Sequence, residues 1–265
     1  MIRLAIFCLT APAFAGICGA ATIANWKELN PNAAVVPITG ADTDSPTFGD
    51  GTLNSAQAAW IAGRFGTTSS SESATLAVGQ TLTVSGGLVL TGGTNNSNQF
   101  RFGVFDDGGQ FAANDGSNWN GGWLHSIGTT TASDLWQART NGPFISTAAN
   151  AVDLNASITR TGAFDGDSSA PFSFSVAITR DSASTIDVVS LITGGDGNLS
   201  EQYVENDINT SLFTYSALGL LFGGSSSVER AEFSNVQYVV TPVPEPSVGL
   251  LGALALIAVG FRRRR

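Results

Sequence analysis

Apolar and polar residues alternate along several short stretches of this chain, the pattern of a β-strand with one buried face. The alternation is unbroken from Phe172 to Thr179, so Phe172, Phe174, Val176 and Ile178 are predicted to share a buried face. Residues 100–104 alternate in the same way, and further strand candidates are 81–84, 88–91, 186–192, 213–222 and 232–240. The chain is therefore predicted to consist mainly of strands.

Clusters of Gly, Asn, Asp and Ser separate these segments and supply ordinary turn residues. Only Ser55–Phe65 has weak helical character. A β-helix is the main structural competitor, but no repeat of fixed period supports it. We therefore predict an all-β fold, an antiparallel β-sandwich, as one domain over residues 22–241.

The last 24 residues, 242–265, differ in composition from the rest of the chain. Pro242, Pro244 and Pro246 cannot continue a helix or an interior strand. Residues 248–261 are only Val, Leu, Ala, Ile, Gly and Phe, and as a helix they would span about 21 Å, short of the ~30 Å hydrocarbon core. We predict a short transmembrane helix at about 247–261, with the terminal arginines on the cytoplasmic side. A buried helix of a soluble domain is the alternative.

This tail resembles the PEP-CTERM sorting signal of exported bacterial proteins. The resemblance rests on three parts in order, which are the motif Val243, Pro244, Glu245 and Pro246, the apolar segment, and the cluster Arg262, Arg263, Arg264 and Arg265. It implies that the tail anchors the protein in the inner membrane until an exosortase-type enzyme processes it at or near 244–246. Glu245 would be a recognition element. The protein would then reach the cell surface or the extracellular matrix.

The N-terminal end has the features of a signal peptide, predicted over residues 1–21. Arg3 gives a minimal positive region, Leu4–Phe14 is mostly apolar, and 13–15 and 18–20 are candidate sites for signal peptidase. A permanent N-terminal anchor is the alternative, although the apolar run is too short to span a bilayer comfortably.

Removing both predicted signals makes the remaining domain strongly acidic. Residues 22–241 keep seven basic and twenty acidic residues, a net charge of −13. Nucleic acid and anionic lipid head groups are poor partners for such a surface. Cys8 and Cys18 lie within the predicted signal peptide, so no disulfide, thiol catalysis or thiolate metal site is expected in the domain. Its stability must come from a hydrophobic core.

Parts of the domain resemble concanavalin A-like jelly rolls. The resemblance rests on Val78–Val84, on Gln99–Phe105 and on Phe233–Val236. It implies that these segments are a core strand, a central strand and a last strand that lies next to the first.

Catalytic residues are not predicted. His125 is the single histidine, and no Gly-x-Ser-x-Gly motif supplies a nucleophile for a triad. Glu205 and Asp207 would share a strand face near Glu201, but their spacing departs from the Glu-x-Asp-x-x-Glu pattern of laminarinase-type glycosidases. A solvated acidic edge is the preferred interpretation.

The Gly- and Asn-rich segment around Trp119 and Trp123 is the candidate glycan site. Exposed indole rings stack on sugar faces, and the flanking Asn118 and Asn120 could bind hydroxyl groups. The alternative is that a tryptophan folds back to cap the sandwich.

Two acidic turns are candidate calcium sites, one with Asp106 and Asp107 and the other with Asp165 and Asp167. Their carboxylates suit a hard cation, but Asp-Gly turns are also common in hairpins. No other cofactor is predicted.

Two functions fit these observations. The first is an exported, PEP-CTERM-sorted envelope or matrix protein that is not an enzyme and that binds polysaccharide. The second is a polysaccharide-active glycosidase or lyase on the same concanavalin A-like fold.

Overall fold

The computed structural model describes residues 19–29, 36–50, 53, 59–66, 72–93, 100–111, 119–127, 134–138, 151–154, 156–222 and 228–242. All regular structure in these ranges is β-strand, as predicted. They hold no helix of the length and apolarity needed to cross a bilayer. Most of the predicted signal peptide, and all of the predicted sorting signal 242–265 except Pro242, lie outside the described residues.

Seventeen strands occur in the described part of the chain. In chain order they are β1 (Ala21–Glu28), β2 (Ile38–Thr39), β3 (Thr47–Phe48), β4 (Ala59–Phe65), β5 (Ala74–Thr75), β6 (Gln80–Thr91), β7 (Phe100–Asp106), β8 (Gly121–Ile127), β9 (Asp134–Ala138), β10 (Ala151–Asp153), β11 (Ser157–Thr161), β12 (Ser168–Arg180), β13 (Thr185–Gly194), β14 (Leu199–Asn209), β15 (Thr214–Tyr215), β16 (Ala217–Phe222) and β17 (Arg230–Pro242).

The strands form two antiparallel sheets that are joined through β1. The first sheet has the order β10-β9-β8-β7-β16-β4-β1, and the second continues as β17-β6-β12-β13-β14-β11. Strand β1 pairs with β4 over most of its length and with β17 through its first two residues. Beside β17 lie β3 and β2, while β5 and β15 form a separate small pair.

The two sheets pack face to face across an aromatic core. The ring of Phe102 in β7 lies 5.3 Å from that of Phe174 in β12, and Phe222 in β16 lies 6.5 Å from Phe233 in β17. Both contacts join one sheet to the other, so the architecture is a β-sandwich, as the strand and turn pattern predicted.

Alternation in β12 gives the buried face that the sequence predicts. Phe172, Phe174, Val176 and Ile178 are all buried, while the residues between them are exposed or half-buried. Strand β6 lies between β12 and β17, so the predicted pairing of the last strand with the core strand near Val84 is confirmed.

Two strands of the first sheet are buried on both faces. Strands β8 and β16 are buried at every position. Their inward residues join the main core, and outward residues such as Leu124 and Leu221 form a second cluster with Phe105, Phe111 and Trp119. A strand buried on both faces has no alternation to detect. For this reason the prediction missed β8, which it interpreted as part of a Gly- and Asn-rich segment.

Three other predicted boundaries are wrong. The weak helical character of 55–65 does not survive in its described part, because residues 59–65 form β4 and pair with β1 and β16. Segments 81–84 and 88–91 are one strand, β6, which runs through Gly86 and Gly87. Segment 213–222 is divided into β15 and β16 at Ser216. In each case the pairing with neighbouring strands decides the outcome.

Candidate functional site

The two tryptophans of the predicted glycan site are buried. Trp123 is 0% exposed and Trp119 is 1% exposed, so neither indole ring can stack on a sugar. The prediction that these rings are exposed is wrong. Trp123 points between the sheets and donates its Nε1–H to Tyr215 Oη at 3.0 Å, whereas Trp119 stacks on Phe111 beneath the other face. Asn120 is exposed and donates to Asp106 Oδ2 at 2.8 Å. Asn118 lies outside the described residues.

The single histidine lies in a sealed polar cluster between the sheets. His125 Nε2 is 2.8 Å from Glu201 Oε1, and His125 Nδ1 is 2.8 Å from Ser190 Oγ. Arg160 on the edge strand β11 reaches inward, with its Nη1 2.9 Å from Glu201 Oε2. The rings of Phe102 and Tyr203 pack on the imidazole. A histidine, a serine and a carboxylate therefore do meet, although they are separated in the sequence.

This cluster is built for packing and not for contact with a substrate. The side chains of His125 and Glu201 are both 0% exposed. Burial lowers the pKa of His125, and the hydrogen bond that His125 donates to Glu201 offsets this only in part. A carboxylate at Glu201 that also accepts from Arg160 requires His125 Nε2 to carry the proton, so Nδ1 accepts from Ser190. The arrangement joins β8, β13, β14 and β11 and gives both ring nitrogens of His125 and both carboxylate oxygens of Glu201 a polar partner.

The prediction that Glu201 belongs to a solvated acidic edge is therefore wrong, because its side chain faces the interior. Glu205 is half-buried and Asp207 is exposed. The register of β13 and β14 shifts between Glu205 and Ile208, and Asp207, which lies inside this irregularity, has a φ of 56°. Because this irregularity breaks the alternation, Glu205 and Asp207 do not share a strand face as predicted.

Each of the four aspartates in the candidate calcium turns uses its Oδ1 to accept a backbone N–H group. Asp106 Oδ1 accepts from Gly108 N, and Asp107 Oδ1 accepts from Gly109 N, both at 2.9 Å. Asp165 Oδ1 and Asp167 Oδ1 likewise accept backbone N–H groups. Within the described ranges, no three Asp, Glu, His or Cys side chains converge as a metal site. The turn with Asp106 and Asp107 follows β7, which pairs with β8, so it belongs to a hairpin. The turn with Asp165 and Asp167 joins β11 to β12, which do not pair with each other.

One polar cleft opens where β4, β7 and β16 meet. It has a volume of about 260 Å³. Its charged walls are Arg64 from β4, Asp106 and Asp107 from the end of β7, and Glu72, while Thr214 and Ser216 add hydroxyl groups. The register that pairs Ala217 with both Arg64 and Phe105 brings these parts together.

Ser216 is the structural centre of the cleft wall. Its Oγ donates to Asp107 Oδ1 at 2.8 Å and accepts from Asp107 N at 2.9 Å. Its backbone N–H donates to Phe105 O, and its carbonyl accepts from Phe65 N. These bonds hold the Asp107 carboxylate in one orientation against β16.

A charged pair in this wall has unused hydrogen-bonding capacity. Asp107 Oδ2 and Arg64 Nε are 3.6 Å apart, too far for a direct hydrogen bond. Neither atom has a hydrogen-bond partner among the described residues. Asp107 is buried, and an unsatisfied buried acceptor costs about 1–3 kcal/mol. The guanidinium of Arg64 is held over the ring of Phe111, 5.5 Å from its centroid.

Comparison with known proteins gives likenesses of structure only. No protein-family model and no curated protein matches the chain. Among solved structures, a metal-free form of lectin I-B4 from Griffonia simplicifolia is 7% identical with a TM-score of 0.46, over 82% of this chain and 91% of the lectin. The potassium-bound carbohydrate recognition domain of Emp46p is 9% identical with a TM-score of 0.45, over 82% of this chain and 88% of that domain. A Bauhinia forficata lectin in complex with GalNAc is 9% identical with a TM-score of 0.45, over 82% and 92% of the two chains.

Likeness at this level transfers no ligand, metal or residue role to this chain. The candidate site therefore rests on its own geometry.

Sequence reasoning singled out only Asp106 and Asp107 among the residues of the cleft, and it did so for a metal. The remaining partners, Arg64 and Ser216, come from distant segments, so no local pattern connects them. One signal was present: Arg64 interrupts an otherwise apolar stretch, Trp60-Ile61-Ala62-Gly63-Arg64-Phe65. A charged residue inside a strand of this kind indicates a partner elsewhere in the fold.

Proposed function

We propose that this protein is exported, is held in the inner membrane by a helix at about 247–261, and is released to the cell surface or matrix by an exosortase-type enzyme. The observation that carries this proposal is the order of the Pro-Glu-Pro motif, the apolar segment and four terminal arginines. The fold is compatible with it, because β17 ends at Pro242, one residue before the motif. At the other end β1 begins at Ala21, so cleavage within 18–20 by signal peptidase would leave β1 whole.

The sandwich domain then acts outside the cytoplasm as a non-enzymatic polysaccharide-binding module. General acid–base catalysis requires a group within hydrogen-bonding reach of the substrate. The burial of His125 and Glu201 between the sheets supports a role other than catalysis. The cleft beside Arg64 and Asp107 supports binding, since a concave site with a few fixed polar groups is the usual form of a small-ligand site.

Mass spectrometry of the native protein tests the sorting proposal. We expect the released form to end at or near 244–246, and a Glu245→Gln variant to stay in the inner-membrane fraction with Arg265 intact. Glu229→Gln is the matched control, because it makes the same change at an exposed position of the sandwich. Wild-type protein that keeps Arg265 in the inner membrane of its own host would contradict the proposal.

A glycan panel tests the activity of the domain. The full chain in mild detergent is incubated with polysaccharides, and both retention and release of new reducing or unsaturated ends are measured. Binding without release is expected. Release of such ends would support a glycosidase or lyase instead, and neither binding nor release would leave a purely structural coat role.

A further inference from the structure

We infer that the polar cleft between β4, β7 and β16 binds a hydroxyl group of an uncharged sugar. Arg64 Nε donates a hydrogen bond to the hydroxyl oxygen, and the hydroxyl group donates a hydrogen bond to Asp107 Oδ2. This inference rests on the proposed polysaccharide-binding function and assigns it a site and a ligand class. It differs from the site predicted at Trp119 and Trp123, both of which are buried.

The first step is the arrangement of the two groups. Arg64 Nε, a donor, and Asp107 Oδ2, an acceptor, are 3.6 Å apart, and neither has a hydrogen bond within the described part of the chain. The Asp107 side chain is 2% exposed, and its other oxygen is already used by Gly109 N and Ser216 Oγ. The free oxygen is therefore fixed beside Arg64 Nε. Both atoms are buried, so the hydroxyl would reach them by displacing the Arg64 side chain, which is 25% exposed.

The second step is the chemistry of a group that satisfies both atoms. An alcohol oxygen donates one hydrogen bond and accepts others, so a single hydroxyl about 2.8 Å from each atom serves the pair. A metal ion would be repelled by the positive charge of Arg64. A phosphate, sulfate or uronate would be repelled by the carboxylates of Asp106, Asp107 and Glu72. An uncharged alcohol avoids both repulsions.

The third step is the rest of the lining. Besides Arg64, the cleft is lined by three carboxylates and by the hydroxyl groups of Ser73, Thr214 and Ser216, so side-chain acceptors outnumber fixed side-chain donors. Each carboxylate oxygen can accept more than one hydrogen bond. Such a wall suits a ligand with several O–H donors on adjacent carbons, which is the pattern of a sugar ring.

The fourth step is size. A cleft of about 260 Å³ lies below the roughly 300–1,000 Å³ of pockets for drug-sized ligands. It therefore fits one ring or one side branch of a polysaccharide and not a long segment. Since no open aromatic face lines the described cleft, we expect weak single-site affinity, with a Kd on the order of 0.1–10 mM, strengthened by avidity on a polymer.

The test compares the wild-type full chain in mild detergent with three variants. Asp107→Asn keeps an oxygen for Gly109 and Ser216 but replaces Oδ2 by an NH₂ donor, so it can no longer accept the hydroxyl proton. Arg64→Lys keeps the charge but removes the Nε–H. Asp167→Asn is the matched control, with the same charge change in an exposed turn where Oδ1 also accepts a backbone N–H.

The probes are the uncharged polysaccharides dextran, laminarin and galactomannan, with alginate as the anionic comparison, in affinity electrophoresis and calorimetry. We expect wild type and Asp167→Asn to bind at least one uncharged probe with affinities within twofold. Asp107→Asn and Arg64→Lys should each bind it at least tenfold more weakly. Circular dichroism and thermal melting check that each variant is folded, and Arg64→Lys remains decisive if Asp107→Asn does not fold.

The outcomes separate the inference from the proposed function. Binding that survives both cleft variants would place the glycan elsewhere, which overturns the inference and leaves the polysaccharide role standing. Binding of alginate alone, weakened by Arg64→Lys and strengthened by Asp107→Asn, would show an anion site and also overturn it. If the wild-type protein binds none of the probes, both the inference and the proposed polysaccharide-binding function are contradicted.

Discussion

Acidification is expected to destabilise the sandwich through His125. The imidazole is fully buried between the sheets, and burial lowers its pKa from the ordinary value of 6.5. In the unfolded chain the same histidine titrates near 6.5. Below that pH the unfolded state binds a proton that the folded state does not, so the free energy of unfolding falls as pH falls and continues to fall until the folded-state pKa is reached.

The magnitude follows from the binding of one proton. A difference of one bound proton changes the free energy of unfolding by about 1.4 kcal/mol per pH unit. Between pH 6.5 and pH 5.0 the loss reaches about 2 kcal/mol if His125 stays neutral, which corresponds to roughly 4–8 °C in Tm for a domain of this size. Two charged groups touch or face the imidazole through the cluster, Glu201 and Arg160. Burial, the largest effect, lowers the pKa of His125, and Glu201 raises it while Arg160 lowers it further, so the net shift is downward.

Urea unfolding of the full chain at half-unit steps from pH 7.5 to pH 5.0 measures this loss. The comparison is His125→Gln, whose amide can still donate to Glu201 but does not titrate. This variant is expected to be less stable overall and to have a flatter pH dependence in this window. Glu28, whose pKa is raised by burial, acts in the opposite direction, but it does so equally in both proteins and cancels in the comparison.

Equal pH slopes for wild type and His125→Gln would refute this reasoning. Such a result would mean that the imidazole takes up its proton as readily in the folded protein as in the unfolded chain. The sealed position between β8 and β14 would then be incorrect.

Three further substitutions test the packing, each by urea unfolding of the full chain. Trp123→Ala should cost about 3–5 kcal/mol, because the side chain is fully buried; a loss below 1 kcal/mol would argue for an exposed ring. Tyr215→Phe should cost about 1–3 kcal/mol, because it leaves Trp123 Nε1 without its acceptor. In a Trp123→Phe background the same change should cost less, since only the bond from Tyr215 Oη to Leu212 O is then lost. Gly195→Ala should be clearly more destabilising than Gly109→Ala. Both glycines have positive φ, but an added methyl group meets the ring of Phe172 at Gly195 and open space at Gly109, so equal losses would contradict this packing.

The candidate site could be predicted from the sequence only in fragments. Asp106 and Asp107 were noticed because adjacent carboxylates before two glycines form a recognisable turn, and the structure confirms the turn. Their partner Arg64 could not be found, because a hydrogen-bonded register between strands far apart in the chain brings it to them. The tryptophans were misplaced for a related reason. Asn and Gly around Trp119 and Trp123 suggested an exposed loop, whereas pairing of β8 with β7 and β9 makes Trp123 part of the core.

The sequence by itself determined what depends on neighbouring residues. Alternation made β12 a strand with a buried face, Gly- and Asn-rich clusters marked the turns, and the cysteine-free, acidic composition characterised the domain. The tertiary structure alone decided which distant residues meet and which face of each strand is covered. A strand buried on both faces, such as β8, has no alternation of apolar and polar residues from which its inward face could be predicted. Only the packing of the two sheets therefore showed that His125 contacts Glu201. In the same way, only the register of β4, β7 and β16 placed Arg64 beside Asp107.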